Sequence, residues 1–205
     1  MKAPLCAVAI ALAVCGAARP RAQNQTIDVP LIEWSEGRKL AVADFKGKTP
    51  SRGNGASLSS VLIEVAWECR EGQATSHARA VFDPNGSWWR DPSPNLWQNA
   101  NDASLLASRD EGGRALLEHE QLHFDMTEVW ARRIRDAFKT LPAACRTSGG
   151  PRAFENVITD IERQWQEEQQ RYDRETGNGT DASRQRAWMQ KVAKALRETY
   201  ATAAR

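Results

Sequence analysis

Histidine is scarce in this chain, with 3 in 205 residues. Tyrosine is scarcer, at 2, although tryptophan reaches 8. Charge of one sign is not in excess: 28 Lys and Arg face 26 Asp and Glu. No basic field exists to draw a polyphosphate, which argues against nucleic-acid binding. Beyond residue 14 no run is apolar enough to span a membrane. No internal repeat is visible, so a stacked-repeat architecture is not expected. What is present is ordinary for a globular chain, 41% apolar and 26% charged. The length suits one domain with a sizeable core.

The first 22 residues read as a leader rather than as part of the fold. Lys2 is followed by an apolar run from Leu5 to Val14 and then by Gly16, Ala17 and Ala18. This is the pattern of a secretory signal peptide, with cleavage after Ala18 or Ala22. A lipoprotein signal using Cys15 ranks behind plain export, because Val14 is larger than the small residue that usually precedes a lipidated cysteine. Residues 23–205 then form a single domain in the periplasm or outside the cell. The leader carries Lys2, Arg19 and Arg21 and no acid, so its removal leaves 25 basic against 26 acidic residues, a net charge of −1. It also removes Cys6 and Cys15 and leaves Cys69 and Cys145, an even pair in an exported chain, expected to form one disulfide.

Strand signals come first along the chain. Residues 23–33 read as an extended lead-in. Leu40, Val42 and Phe45 suggest a short strand, and Lys46–Ser60, rich in Gly, Ser and Lys, a mobile loop. In Val61–Cys69 the odd positions are apolar and the even positions include Glu64 and Glu68. That alternation, a turn at Glu71-Gly72 and a returning run through Ala78, Ala80 and Phe82 predict an antiparallel hairpin. Asp83–Asp102 contains Pro84, Pro92 and Pro94 with Trp88, Trp89 and Trp97, and reads as a long irregular loop. Its indoles either border a groove or cover the core edge.

Helix signals follow. Ser108 and Glu111 have the spacing of a capping box, and Arg114–Leu141 repeats apolar positions every three to four residues. Pro142 stops that helix. Pro151 opens a second, with Phe154, Val157, Ile158, Ile161, Trp165 and Tyr172 on one stripe, ended by Gly177-Asn178-Gly179. A third runs from about Ala182 toward Tyr200 with Trp188, Val192 and Leu196 inward. Strands followed by helices indicate an α+β fold: a small antiparallel sheet followed by three packed helices, a zincin-like plan.

Two of the three histidines stand in His119-Glu120-Gln121-Leu122-His123, an H-E-x-x-H run inside the first helix. Histidines four apart share a helix face and can bind one Zn²⁺, while the intervening Glu, turned about 100° around the axis, reaches toward water instead. A catalytic zinc takes three protein ligands and keeps one position open. The third ligand is not fixed by spacing. His77 lies on a strand, where a lone histidine is usually a surface residue. Asp173 and Glu175 are better placed if the first two helices are antiparallel. Glu128, on another face, is expected to orient a ligand or pair with an arginine.

Several pieces, taken in order, resemble a known family. They are Arg38-Lys39-Leu40 with Asp44-Phe45-Lys46-Gly47, then Phe82-Asp83-Pro84-Asn85-Gly86-Ser87-Trp88, then Leu117–Asp125 with Thr127-Glu128 and Ala131-Arg132. Tyr172-Asp173-Arg174-Glu175-Thr176 with Gln185 and Trp188 complete the set. Over about residues 33–200 the chain resembles the bacterial family of predicted secreted Zn-dependent proteases catalogued as domain of unknown function 922. The resemblance implies that His119 and His123 are metal ligands, that Glu120 is catalytic, and that a third metal-binding position follows the Tyr-Asp-x-x-Thr piece. Many members carry His there and this chain has Asn178, a weakly basic neutral donor. The third ligand therefore stays open among Asn178, Asp173 and Glu175. The expected function is a secreted or periplasmic zinc metallopeptidase acting on a peptide or protein, with Trp88, Trp89 and Trp97 bordering the substrate groove. The alternative, prompted by Asn178, is a metal-poor, non-catalytic envelope protein that binds a partner through its Trp-rich loop. Oligomeric state is not legible.

Overall fold

The computed structural model describes residues 7–8, 30–51, 56–71, 73–90, 103–141, 145 and 150–203. Its centre is the hairpin of β4 (Val61–Arg70) and β5 (Gln73–Phe82), antiparallel and in register from Val61 opposite Phe82 to Arg70 opposite Gln73. The alternation seen in the sequence sets the faces. Val61, Ile63, Val65, Trp67, Ala78, Ala80 and Phe82 are buried, while His77 is exposed. The turn at Glu71 takes a positive φ of 53°. Two short strands flank the hairpin. β2 (Ile32–Glu33) pairs with β5, and β1 (Ala7–Val8), from the stretch read as a leader, pairs with β4. The sheet order is β1-β4-β5-β2. A second, two-stranded sheet joins β3 (Ser57–Leu58) to β6 (Trp88–Trp89).

Three helices follow: α1 (Ala103–Lys139), α2 (Gly150–Thr176) and α3 (Ala182–Ala203). The fold is α+β, as expected. α1 carries two apolar stripes. Phe124, Ala131, Ile134 and Phe138 join the inner face of the hairpin and Phe154, Ile158 and Trp165 of α2 in the main core. Leu122, Met126 and Val129 form a smaller core with Tyr172 of α2 and Trp188 and Val192 of α3. Each such side chain contributes about 1.5–3 kcal/mol by leaving water, so the long helix is held on both flanks. Contacts between α1 and α2 run in reverse order: Trp130 with Glu168, Thr127 with Gln169, His119 with Asp173. The two helices are therefore antiparallel. A disulfide joins Cys69, near the hairpin tip, to Cys145 in the α1–α2 connection, with Cα atoms 5.4 Å apart.

Four local expectations are corrected. The segment around Leu40–Val42 is no strand: Val42–Asp44 is a 3₁₀ turn. Its amides are claimed by side chains, Leu40 N–H donating to Gln121 Oε1 (2.7 Å) and Ala41 N–H to Asp44 Oδ2 (2.8 Å), which leaves no ladder to join. Ser108 does not cap α1, because the helix already runs from Ala103. Gly112 and Gly113 cost it about 2 kcal/mol in propensity, and the packing further along outweighs that. The 46–60 segment is pinned where it is described: Lys46 N–H donates to Pro84 O (2.9 Å), Gly47 N–H to Ser87 O (2.7 Å), and Ser57–Leu58 is β3. A Cβ on Gly47 would stand 2.6 Å from two carbonyl oxygens, so this close approach requires glycine. Finally, the proline-rich stretch is not wholly irregular, since Trp88–Trp89 pairs as β6. Residues 91–102, Trp97 among them, lie outside the described residues, as does the 1–22 leader apart from β1.

Candidate metal centre

α1 presents His119 and His123 on one face, one turn apart, with relative exposures of only 3% and 9%. α2 brings Asp173 against them. Asp173 Oδ1 lies 3.2 Å from His119 Nε2 and 2.9 Å from His123 Nε2, and the two Nε2 atoms are 3.2 Å apart. Among the described residues, these three form the group of His, Cys, Asp and Glu able to hold one metal ion. The triangle can be tested for fit. Ligand bonds of about 2.0–2.2 Å in tetrahedral geometry place donor atoms roughly 3.3 Å apart. The observed edges of 2.9–3.2 Å are close to that, and two imidazoles plus one carboxylate leave a fourth position for a small molecule.

The surroundings set the protonation of the group. His123 Nδ1 faces Gln169 Oε1 at 2.5 Å, and His119 Nδ1 faces Gln185 Oε1 at 3.4 Å. An amide oxygen only accepts, so the short contact at His123 places a proton on its Nδ1. The three atoms of the triangle converge on one point and could hold a metal ion; the electrostatics show how strongly they are coupled. Burial is the largest influence on His123 and pushes its pKa down, yet the hydrogen bond and charge of Asp173, with the charge of Glu120, outweigh it and raise the pKa above the ordinary value. Burial likewise pushes Asp173 up, but the hydrogen bonds and charges of both histidines hold its carboxyl well below the usual range. Tyr172, buried and hence raised in pKa, remains a phenol. It stacks on His119 with ring centroids 4.6 Å apart and donates to Gln185 Oε1 (2.7 Å).

Glu120 points elsewhere, as its place on the helix requires. Its Oε1 accepts from Ser57 Oγ (2.5 Å), and its Oε2 from Ser59 Oγ (2.5 Å) and Ser59 N–H (3.1 Å). The carboxylate is buried, at 5% exposure, yet it borders the same cleft as the histidines. That cleft has a volume of ≈ 520 Å³. The backbone and side chains of Ala56–Ser59 form one wall; Leu116, His119, Glu120 and His123 come from α1, and Gln169, Asp173 and Asn178 from α2 and its cap.

The remaining candidates fall as follows. Glu175 accepts from the Trp188 indole (2.9 Å) and is not in the donor triangle. Asn178 lines the cleft from a left-handed conformation, φ 54°, at the end of α2. Glu128 pairs with Arg132 (2.7 Å) and Arg135 (2.6 Å), as expected of it. Trp88 and Trp89 are not among the described residues that line the cleft. They lie on β6, paired to the strand that does, and Trp89 packs edge-on to Phe45 at 5.5 Å. Trp97 lies outside the described residues. Sequence reasoning missed Ser57, Ser59 and Gln169. Ser57-x-Ser59 has the period of a strand that puts both hydroxyls on one face, and Gln169 stands one helical turn before Asp173. Both signals were present but weak.

Neither the curated proteins nor the solved structures that were compared gave a match. Over residues 90–179, a span that holds His119, Glu120, His123 and Asp173, the chain matches the family model described as "Bacterial protein of unknown function (DUF922)", which supports the family resemblance read from the sequence and names no activity.

Proposed function

We propose that this chain is an exported zinc metallopeptidase, with residues 1–22 as its leader and the periplasm or the cell exterior as its location. The observation that carries the reading is the triangle of His119 Nε2, His123 Nε2 and Asp173 Oδ1 at 2.9–3.2 Å in a cleft wall. Two imidazoles with one carboxylate suit zinc among the divalent ions. A zinc ion bound there supplies two things: water with a pKa near 7 and a polarised carbonyl.

The chain's own groups supply the rest. Glu120 takes the proton of the attacking water on its carboxylate and returns it to the amine nitrogen as the amide C–N bond breaks. Ser57 and Ser59 hold that carboxylate toward the cleft. Ser57 and Leu58 of β3 line the cleft, so an extended peptide can lie beside that strand. Leu58, Val61 and Leu116 offer apolar lining for its side chains. The disulfide and the lack of any described helix long and apolar enough to cross a membrane are compatible with export.

The test is metal content and hydrolysis measured together on protein purified from the periplasm without added zinc. Wild type is expected to carry close to one zinc, and Glu120→Ala to keep the zinc while losing peptide hydrolysis. Less than a tenth of an equivalent, with no uptake of added zinc, would overturn the reading in favour of a non-catalytic envelope protein.

A further inference from the structure

His123 can serve the triangle only as the Nδ1–H tautomer, and the structure contains a device that enforces it. Gln169 is fully buried. Its Nε2 donates to two acceptors, His123 O (3.1 Å) and Thr127 Oγ1 (3.1 Å). The Thr127 hydroxyl donates to His123 O (2.7 Å), so its oxygen presents a lone pair, not a proton, to Gln169. Turning the amide over would bring its oxygen against a carbonyl and against that lone pair. It would also aim an N–H₂ at His123 Nδ1. Oε1 must therefore face Nδ1, and Nδ1 carries a proton; one on Nε2 as well would be shared with Asp173 Oδ1, 2.9 Å away.

We infer that Gln169, oriented by Thr127, is a positioning residue that locks His123 in the Nδ1–H tautomer before any metal arrives. The lock is built on the ligand's own helix: Thr127 is one turn beyond His123, and the shared acceptor is the His123 carbonyl. Its parts are neutral. A carboxylate at 169 would also accept from Nδ1–H, but it would add a second negative charge next to that of Asp173. An amide fixes the ring and leaves the donor set at one negative charge, so a divalent ion there keeps a net positive charge to act on a substrate. At His119 the corresponding contact is looser: Gln185 Oε1, which accepts from the Tyr172 hydroxyl (2.7 Å), stands 3.4 Å from Nδ1, and Gln185 Nε2 is buried with no hydrogen-bond partner among the described residues. The geometry thus makes His123 the preorganised ligand. The role of this lock in metal binding rests on the metal reading above; the tautomer itself does not.

The experiment has two arms. In the first, long-range ¹H–¹⁵N correlation spectra of zinc-free protein are recorded well above the imidazole pKa. Wild-type His123 is expected as Nδ1–H. Gln169→Met, similar in size but without an amide acceptor, should shift it toward Nε2–H, and Gln169→Glu should restore Nδ1–H. Nε2–H in the wild type overturns the proposal whether or not the variants fold, as does an unchanged tautomer in a folded Gln169→Met. In the second arm, zinc affinity is measured by competition with a chromophoric chelator. Gln169→Met is expected to weaken it about 10–100-fold, with recovery in Gln169→Glu. An unchanged affinity in Gln169→Met overturns the positioning role. A wild type that shows Nδ1–H but binds no zinc sinks the metal reading and leaves the tautomer lock standing.

Discussion

Gly179 lies directly against His119. A Cβ on Gly179 would stand 2.9 Å from His119 Cβ and 3.0 Å from Cγ, and the residue sits at φ +84°. α2 ends in three successive left-handed residues, Gly177, Asn178 and Gly179, which fold the chain back under the first histidine. Glycine is needed at 179 both for the backbone angle and for the space. Gly179→Ala is therefore expected to push His119 off the triangle. Zinc affinity should fall at least tenfold, and stability by about 1–3 kcal/mol. A zinc titration and a denaturant melt check both, and an alanine variant with unaltered affinity would show that the loop yields without moving the ring.

Ser59 is tied to Glu120 by two hydrogen bonds, from its hydroxyl and its amide. Removing the hydroxyl leaves a buried carboxylate oxygen short of a donor, a cost of about 1–3 kcal/mol. Ser59→Ala is expected to lower the melting temperature and to slow peptide hydrolysis, while zinc binding is unchanged because Ser59 touches none of the three ligands. Ser57→Ala should act in the same direction on the other oxygen. A loss of zinc in either variant would mean that β3 supports the triangle as well as the base.

Much of this site was legible because helical period is a short-range property. His119 and His123 share a face whatever the tertiary fold, and so do Phe154, Ile158 and Trp165. The hairpin was legible for the matching reason with period two. The third member of the triangle was not. Asp173, Glu175 and Asn178 lie within six residues, and choosing among them depends on how α2 is rotated against α1. That rotation is set by Trp165, Gln169 and Tyr172 going inward together, which puts Asp173 on the inner face and sends Glu175, two residues further and about 200° around, to Trp188. The 3₁₀ turn at Val42–Asp44 was misread because apolar residues two apart look like a strand until one knows that Gln121, 81 residues away, takes the Leu40 amide.

Glu168 joins α2 to α1 and α3. It accepts from Lys191 Nζ (2.6 Å), the Trp130 indole (2.7 Å) and Arg171 (3.2 Å). Burial, its largest influence, raises the carboxyl's pKa, but the Lys191 hydrogen bond and charge, with Trp130 and Arg133, bring it below the ordinary value of 4.5. A folded-state pKa lowered in this way means that the group stabilises the fold above about pH 4.5 and that the contribution is lost as pH falls through the folded value. Lys191 is half exposed, so solvent screens the pair, and Lys191→Met should cost up to about 1 kcal/mol near neutrality. The difference between wild type and variant should shrink as the pH drops below 4.5. Urea melts at several pH values read this directly, and a gap that widens toward acid would contradict the assignment.

Asp173 and Glu175 give the most decisive comparison. They are two residues apart on one helix and both acidic, and they differ in what they face. Asp173 Oδ1 meets both imidazoles, whereas Glu175 accepts from Trp188. Asp173→Ala removes the anionic member of the triangle and leaves two neutral nitrogens, so zinc affinity should fall by two orders of magnitude or more. Glu175→Ala should leave the affinity within about twofold and cost roughly 1 kcal/mol of stability for the lost indole hydrogen bond. Asn178→His offers a further imidazole from the cleft wall: a modest rise in affinity is expected where Asp173 is present, and a partial rescue where Asp173 is alanine. The whole set is read by one chelator competition. If Asp173→Ala bound zinc as tightly as wild type while Asn178→Ala did not, the third ligand would be the asparagine, and the helix rotation described for α2 would be wrong.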